Sequence, residues 1–410
     1  MEEELLVGGE AKMDQDGGST TFMLVGGGSG GHLTPLLAVA TALKDKSPDA
    51  SVVVVGQKNE NLQEVVDHDS IDGVFSISAG KFRRYNGESL SSHLLDVRTL
   101  VLNVRDLFRF AVGIFEAWRL LGRIKPDGIF LKGGFVSVPI GLAARWRRIP
   151  YITHDSDAVP GLANRITAKH ATYNATALPA DFYPYDKSKT VQVGIPLRKE
   201  FSYVSNDDLA GFKKQLSINV SDPVLLCLGG GLGARGLNRA LVSISAELLL
   251  KYPDLEMVHL SGKSLFEETK KLYHNALNEV SYNRVRVIDF TADLYVLSGA
   301  ADVIVSRAGA TSIAEFAVQS KPCVVVPNPV LTGGQQLHNA KVLQDNNAAM
   351  IVEENSPDEL KNALYSLLDD VKKREELSNN LHKLSYKDSA ERITGLLLSI
   401  VNHRTQKGRS

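Results

Sequence analysis

Short runs of apolar, often β-branched residues alternate along this chain with stretches of helical periodicity. Runs at 22–25, 52–55 and 128–131 predict buried strands, and the pattern from the end of the first run through Leu43 predicts a helix. A second series at 224–228, 257–260, 285–288, 303–305 and 323–326 is interleaved with helical segments in the same way. Such alternation builds a parallel sheet, because each parallel connection must cross back over a sheet face and does so as a helix. The two series predict an α/β chain of two Rossmann-like domains, 20–195 and 196–380, with a loose leader at 1–19. Pro179, Pro184 and Pro196 interrupt the periodicity and put a hinge at 180–200. Ser356-Pro357-Asp358-Glu359 reads as a helix start with a capping hydroxyl, a first-turn proline and acids at the positive pole. A last helix over 388–401, within a tail at 381–410, is expected to return to the first domain.

Length and composition agree with two soluble-type cores. The chain has 410 residues, 43% of them hydrophobic, and 46 basic against 47 acidic side chains, so it is neither disordered nor a general nucleic-acid binder. Residues 17–43 carry no fixed charge, but seven of residues 17–31 are glycine and Pro35 follows, which fits strand, loop and helix rather than a membrane span. The acidic N-terminus lacks the basic flank and apolar centre of a signal peptide. Cys227 and Cys323 sit in apolar runs without metal-ligand spacing and read as core thiols.

The candidate chemistry begins with a duplicated glycine loop. Gly26-Gly27-Gly28-Ser29-Gly30-Gly31 follows the first strand and Gly229-Gly230-Gly231-Leu232-Gly233-Ala234 follows the first strand of the second series. Glycine lets backbone N–H groups approach a phosphate or sugar, and a helix N-terminus adds about half a positive charge. A dinucleotide fold also needs an acid at the end of its second strand, where Gln57-Lys58 and Ser261-Gly262-Lys263 stand instead. A Walker loop ending at Gly262-Lys263-Ser264 would need glycine where Met257 stands. His32, in the first turn after the first loop, is a candidate base for a sugar hydroxyl, since the positive helix pole favours the neutral ring. A histidine that only caps or packs the helix start fits the same position.

Two further clusters lie in the second half. Ser306-Arg307-Ala308-Gly309 leads into Ala310, Thr311, Ser312, Ile313, Ala314 and Glu315, a strand end passing through small residues into a helix. Its free N–H groups suit a pyrophosphate and Glu315 suits the vicinal diol of a ribose, although a solvent-facing acid has the same local pattern. Gln335-Gln336 and Asn339 follow Thr332-Gly333-Gly334, and adjacent amides suit sugar hydroxyls or an ordinary surface. Residues 97–123 place Val97, Val101, Val104, Phe108, Ile114, Phe115 and Trp118 near helical spacing among five arginines, with Lys81, Arg83 and Arg84 upstream. That composition fits contact with an anionic membrane surface, or a packed helix with a solvated arginine face.

The order of these pieces, from Phe22 to the final helix, resembles the MurG family of GT-B glycosyltransferases. The matching stretches are Gly26 to His32 with Pro35, Gly133-Gly134-Phe135-Val136-Ser137, His154 with Pro160-Gly161-Leu162-Ala163-Asn164, and Gly194-Ile195-Pro196-Leu197-Arg198. In the second half they are Gly229 to Asn238, Ser261-Gly262-Lys263, Ser306 to Glu315, and Gln335-Gln336 with Asn339-Ala340. The resemblance implies two Rossmann-like domains facing across a cleft and inverting transfer of N-acetylglucosamine from UDP-N-acetylglucosamine to the muramic acid C4 hydroxyl of lipid I. It implies donor contacts from Ser29, Gly30, Gly31, Asp157, Arg198, Gly231, Thr291, Ala310, Thr311, Ser312, Ile313, Ala314, Glu315, Gln335 and Gln336. Acceptor contacts would come from Gly28, His32, Gly133, Gly134, Ser137 and His154, with His32 as base. No metal or other cofactor is required, and the implied setting is the inner membrane face beside other cell-wall synthesis proteins.

This chain departs from the family pattern in three places. His154-Asp155-Ser156-Asp157 replaces His-Glu-Gln-Asn, so Asp157 stands for a substrate-contacting amide and the segment also reads as the Asp-x-Asp of a manganese-dependent class. Gly231-Leu232 replaces Ser-Gln, and 331–334 lacks the charges usual before the paired glutamines. Other GT-B transferases, a UDP-sugar 2-epimerase and a catalytically silent sugar-nucleotide-binding subunit are the alternative readings.

Overall fold

The computed structural model describes residues 19–27, 30–58, 62–66, 68–80, 97–231, 233–330 and 334–407. It divides into one unit running through Arg198 and resuming at Asp388, and a second unit over Lys199–Lys387. The units thus divide after Arg198 and after Lys387, where the sequence led to an expectation of 195/196 and 380/381.

The first unit holds strands β1 (Thr21–Val25), β2 (Ser51–Gln57), β3 (Gly73–Ile77), β4 (Gly128–Leu131), β5 (Tyr151–Asp155), β6 (Tyr173–Thr176) and β7 (Thr190–Gln192). They form one sheet in the order β3-β2-β1-β4-β5-β6-β7, and the paired strands are parallel. Helices cover both faces, so the strands are apolar throughout and their alternate residues enter different cores. Phe22, Leu24, Val52 and Val54 pack with Leu36, Val39 and Leu43 of α1 (Gly30–Lys46). Met23, Val25, Val53 and Val55 pack on the opposite face with Leu120 and Leu121 of the helix Val97–Ile124.

The last helix, Ser389–Lys407, belongs to this first unit and starts a residue after the expected 388. Ile393, Leu397 and Ile400 recur at helical spacing and join the α1 side of the core, each contributing about 1.5–3 kcal/mol by burial. Gly128 in β4 lies against Ile400 and Val401, so the returning helix reaches the central strands.

The second unit repeats the plan with β8 (Val224–Leu228), β9 (Glu256–Leu260), β10 (Val285–Ile288), β11 (Val303–Ser306), β12 (Cys323–Val325) and β13 (Met350–Ile351). Their order is β10-β9-β8-β11-β12-β13, again with parallel pairing. Cys227 and Cys323 are free thiols buried in separate cores on the two faces of this sheet, and burial pushes both thiols far up. The helix Pro357–Asp369 begins with Pro357, but Ser356 makes no side-chain cap, in contrast to the hydroxyl cap expected from the sequence. Its backbone at φ −111° and ψ 71° does not present the hydroxyl to the first turn. Among the described residues no helix is long and apolar enough to cross a membrane.

Candidate functional site

In an open parallel sheet, ligands collect at the carboxyl ends of the strands where the strand order reverses. That point lies between β1 and β4 in the first unit and between β8 and β11 in the second, and the sequence clusters fall at both.

In the first unit, Gly26 and Gly27 leave β1, and Gly30, Gly31 and His32 form the backbone of the first turn of α1. Gly28, Ser29 and the side chain of His32 lie outside the described residues. Lys132, Gly133 and Gly134 leave β4, where Gly134 adopts φ +81°. A Cβ on Gly134 would stand 2.1 Å from the Gly27 carbonyl oxygen, so the two glycine turns touch backbone to backbone. Ser137 is fully buried and donates its hydroxyl to the Gly133 carbonyl at 2.7 Å, which fixes this turn to the next helix.

The turn after β5 is held residue by residue. His154 is fully enclosed, its Nε2 2.8 Å from the Gly194 carbonyl oxygen, which ties β5 to the 194–198 segment ending at the half-buried Arg198. Asn164 donates to the His154 carbonyl at 2.7 Å and to Asp155 at 2.8 Å, and the Tyr185 hydroxyl donates to the other Asp155 oxygen at 2.7 Å. Burial pushes the Asp155 carboxyl up to about 6, against the hydrogen bonds of Asn164 and Tyr185 and the nearby Lys132. Lys132 donates to the Ser156 hydroxyl at 2.6 Å. Burial lowers its ammonium to about 8, while Asp157 and then Asp155 pull it back up. The Tyr183 hydroxyl donates to the Asp157 carbonyl at 3.2 Å, and the Asp157 side chain remains half-buried. Asp155 of the Asp-x-Asp segment thus faces inward onto Asn164 and Tyr185.

The helix Val97–Ile124 has two unlike faces. Ala117, Leu120, Leu121 and Ile124 are core, and Gly113 packs against the Ser78 carbonyl. Leu107, Phe108, Phe115 and Trp118 form an exposed stripe, with Arg119 near the Phe115 ring, Arg147 stacked on Trp118 at 4.3 Å and Trp146 exposed on the neighbouring helix. Ile114 is half-buried, and Arg105 and Arg109 flank the stripe. Lys81, Arg83 and Arg84, and the side chains of Val97, Val101 and Val104, lie outside the described residues.

The second unit brings its clusters together. Gly231 is the exposed tip of the turn after β8, and Gly233 adopts φ +75° with its Cβ position 2.2 Å from the Ser261 carbonyl. Asn238 holds that carbonyl at 3.0 Å and also approaches His259, whose other nitrogen meets the Tyr273 hydroxyl at 2.9 Å. Burial lowers His259 to about 3 and so keeps it neutral, in a structural rather than catalytic role.

After β11, Arg307 donates to the Val326 carbonyl at 3.1 Å and pairs with Glu354. Gly309 then begins the helix Ala310–Gln319 without a side-chain cap, so the N–H groups of Ala310, Thr311 and Ser312 have no intrahelical acceptor. Ile313 and Ala314 are half-buried, and Glu315 is buried rather than solvent-facing. Asn339 donates to the Ala308 carbonyl at 3.0 Å, joining the helix Gln335–Asp345 to this loop. Gln335 opens that helix half-exposed, and Gln336 accepts from the Asn328 N–H at 2.8 Å. Thr291 accepts from the Asp293 N–H at 3.0 Å within its own turn.

Sequence reasoning passed over Lys132, Tyr185 and Glu354. Lys132 had a visible signal, a charge closing an apolar strand directly before a glycine pair, whereas the other two are brought in by the fold.

Comparison with known proteins adds to this geometry. Residues 22–176 match the glycosyltransferase family 28 N-terminal domain and residues 224–393 the glycosyltransferase family 28 C-terminal domain. A Clostridium botulinum protein named UDP-N-acetylglucosamine–N-acetylmuramyl-(pentapeptide) pyrophosphoryl-undecaprenol N-acetylglucosamine transferase is 32% identical over 92% of this chain and 98% of its own. A protein of the same name from Lachnospira eligens is 32% identical over 92% of this chain and 98% of its own. Among solved structures, Acinetobacter baumannii MurG has a TM-score of 0.65 at 24% identity, covering 93% of this chain and 99% of that one. A Neisseria meningitidis UDP-GlcNAc 2-epimerase has a TM-score of 0.64 at 15% identity, covering 93% of this chain and all of that one, and so shares the fold.

Proposed function

Because the chain belongs to the MurG family within glycosyltransferase family 28, we propose that it transfers N-acetylglucosamine from UDP-N-acetylglucosamine to the C4 hydroxyl of the muramic acid of lipid I. The product is lipid II, the disaccharide precursor of peptidoglycan, formed with inversion at the anomeric carbon. The observation that carries this reading is the likeness to transferases of that name along 92% of the chain, with the glycine turns at both strand-order reversals. The 2-epimerase likeness is one of fold at 15% identity.

The residue roles are those the family resemblance implies, and the chemistry each position offers supports them. Glu315 takes the ribose hydroxyls, the N–H groups of Ala310 to Ser312 with Ile313 and Ala314 line the pyrophosphate, and Gln335 and Gln336 face the sugar. Gly231, Thr291, Arg198, Asp157 and the Ser29 to Gly31 turn complete the donor contacts. Developing charge on the leaving diphosphate is met by helix N-termini and Arg198, fixed dipoles and charge that cost no reorganisation, so no metal is needed. Gly28, Gly133 and Gly134 lie along the acceptor, and His32 removes the proton from its hydroxyl. Ser137 and His154, both enclosed, serve the acceptor side by holding the Gly133 and Gly194 turns. The exposed stripe with its arginines rests on an anionic bilayer, which makes the enzyme peripheral on the inner membrane face beside other cell-wall synthesis proteins.

The test incubates purified protein with UDP-N-acetylglucosamine and a lipid I analogue and looks by mass spectrometry for one added N-acetylhexosamine. His32→Ala is expected to lower turnover about 10²-fold or more with UDP-sugar affinity retained. Unchanged turnover removes the base assignment, and no added sugar with wild-type protein removes the function.

A further inference from the structure

The turn after β5 carries more fixation than a surface turn needs. His154 is held through its ring and its carbonyl, Asp155 through both oxygens, Ser156 by Lys132 and Asp157 through its carbonyl. Lys132 itself is 3% exposed, and its N–H donates to the Val25 carbonyl at 2.8 Å, so its stem is anchored beside the first glycine turn. A buried ammonium has three donors, and among the described residues Ser156 is the hydroxyl it reaches.

We propose that Lys132 is a positioning residue for the transferred sugar: bonded to Ser156, it fixes the turn that carries the adjacent Asp157 and so aims Asp157 at a hydroxyl of N-acetylglucosamine. The inference rests on Asp157 touching the donor sugar. Asp155 and Asp157 flank Ser156, the residue that Lys132 holds, and a nearby cation offsets the repulsion of two carboxylates in one turn. Both oxygens of Asp155 are taken by Asn164 and Tyr185, whereas Asp157 is held through its carbonyl. A carboxylate only accepts hydrogen bonds, whereas an amide at this position would also donate and would need no cation. Lys132 and Asp157 therefore work as a pair.

The experiment measures UDP-N-acetylglucosamine and UDP affinities by calorimetry for wild type, Lys132→Met, Asp157→Asn and the double variant. Lys132→Met is expected to weaken the UDP-sugar about tenfold, the scale of a hydrogen bond to a charged group, and to leave UDP within about twofold. In the Asp157→Asn background the same replacement should change little, since the carboxylate that Lys132 positions is gone. Equal weakening of UDP and UDP-sugar, or the same loss in both backgrounds, overturns the proposal. Ser156→Ala, which keeps the buried ammonium but removes its acceptor, repeats the comparison and should weaken the UDP-sugar selectively by about threefold. If Asp157→Ala binds UDP-sugar like wild type, the Asp157 contact fails and the proposal with it. If the wild type binds the UDP-sugar but adds none to lipid I analogue, the transferase reading fails while the pair stands.

Discussion

Gly134→Ala offers the sharpest test of how the first unit is assembled. The added Cβ would lie 2.1 Å from the Gly27 carbonyl oxygen and 3.1 Å from its carbon, at a residue with φ +81°. Left-handed backbone costs an alanine about 1–2 kcal/mol, and relieving the overlap moves one glycine turn by about 1 Å at a further cost of about 1–3 kcal/mol. The sum, about 2–5 kcal/mol, corresponds to a fall in Tm of roughly 4–20 °C for a domain of this size. The effect on catalysis is disproportionate, because Gly27 leads into the turn bearing His32, and a displacement near 1 Å of a reacting group costs about 10²-fold. The assay pairs circular-dichroism melting with steady-state transfer to a lipid I analogue well below the variant's Tm. Gly395→Ala is the control: its Cβ meets nothing within 4 Å, and alanine in a helix gains up to about 1 kcal/mol. Turnover of Gly134→Ala within about threefold of wild type would show that the contact between the two turns does not position the base.

Other outcomes follow from the same geometry. Glu315→Ala should weaken UDP itself about 10- to 100-fold by calorimetry, as loss of charged hydrogen bonds to a ribose predicts, and an unchanged affinity would remove that role. Phe108→Ser with Trp118→Ser, at side chains 71% and 46% exposed, should leave Tm nearly unchanged but cut co-sedimentation with phosphatidylglycerol vesicles at least tenfold, and retained binding argues against the membrane face. Asp155 titrates at about 6 in the folded protein against an ordinary value of 3.8, so the folded state holds its proton more tightly. The stability this proton confers is present below the unfolded value and is lost as pH rises through about 6, a cost on the order of 3 kcal/mol above it. Asp155→Asn should therefore raise Tm relative to wild type at pH 7.5 and gain little at pH 4, and the opposite trend would contradict the buried-carboxyl account.

Much of the architecture was legible because parallel strands are apolar on both faces. The runs at 22–25, 52–55, 128–131 and 224–228 have no polar side and could be read only as central strands, which the structure gives with shifts of a residue or so at their ends. The outer strands were not legible: Tyr151–Asp155, Tyr173–Thr176 and Thr190–Gln192 are short and mix polar residues with apolar ones, because their side chains also serve the turns beyond them. Met350–Ile351 is shorter still, and pairing with β12 rather than its two residues alone makes it a strand.

For the candidate site, sequence alone determined the chemistry available, namely glycine turns at strand ends, uncapped helix starts, Glu315 and the paired glutamines. These are local properties, set by which residues can adopt left-handed backbone or expose N–H groups. Tertiary structure decided which of them meet. Gly134 touches Gly27, Gly233 touches Ser261, Asn339 reaches Ala308, and Lys132 reaches Ser156 across neighbouring strands. It also decided which are withdrawn from solvent, burying His154 and Glu315 while leaving Phe108 exposed. Contacts between residues far apart in the chain depend on strand order, which parallel pairing settles only once the whole sheet has formed.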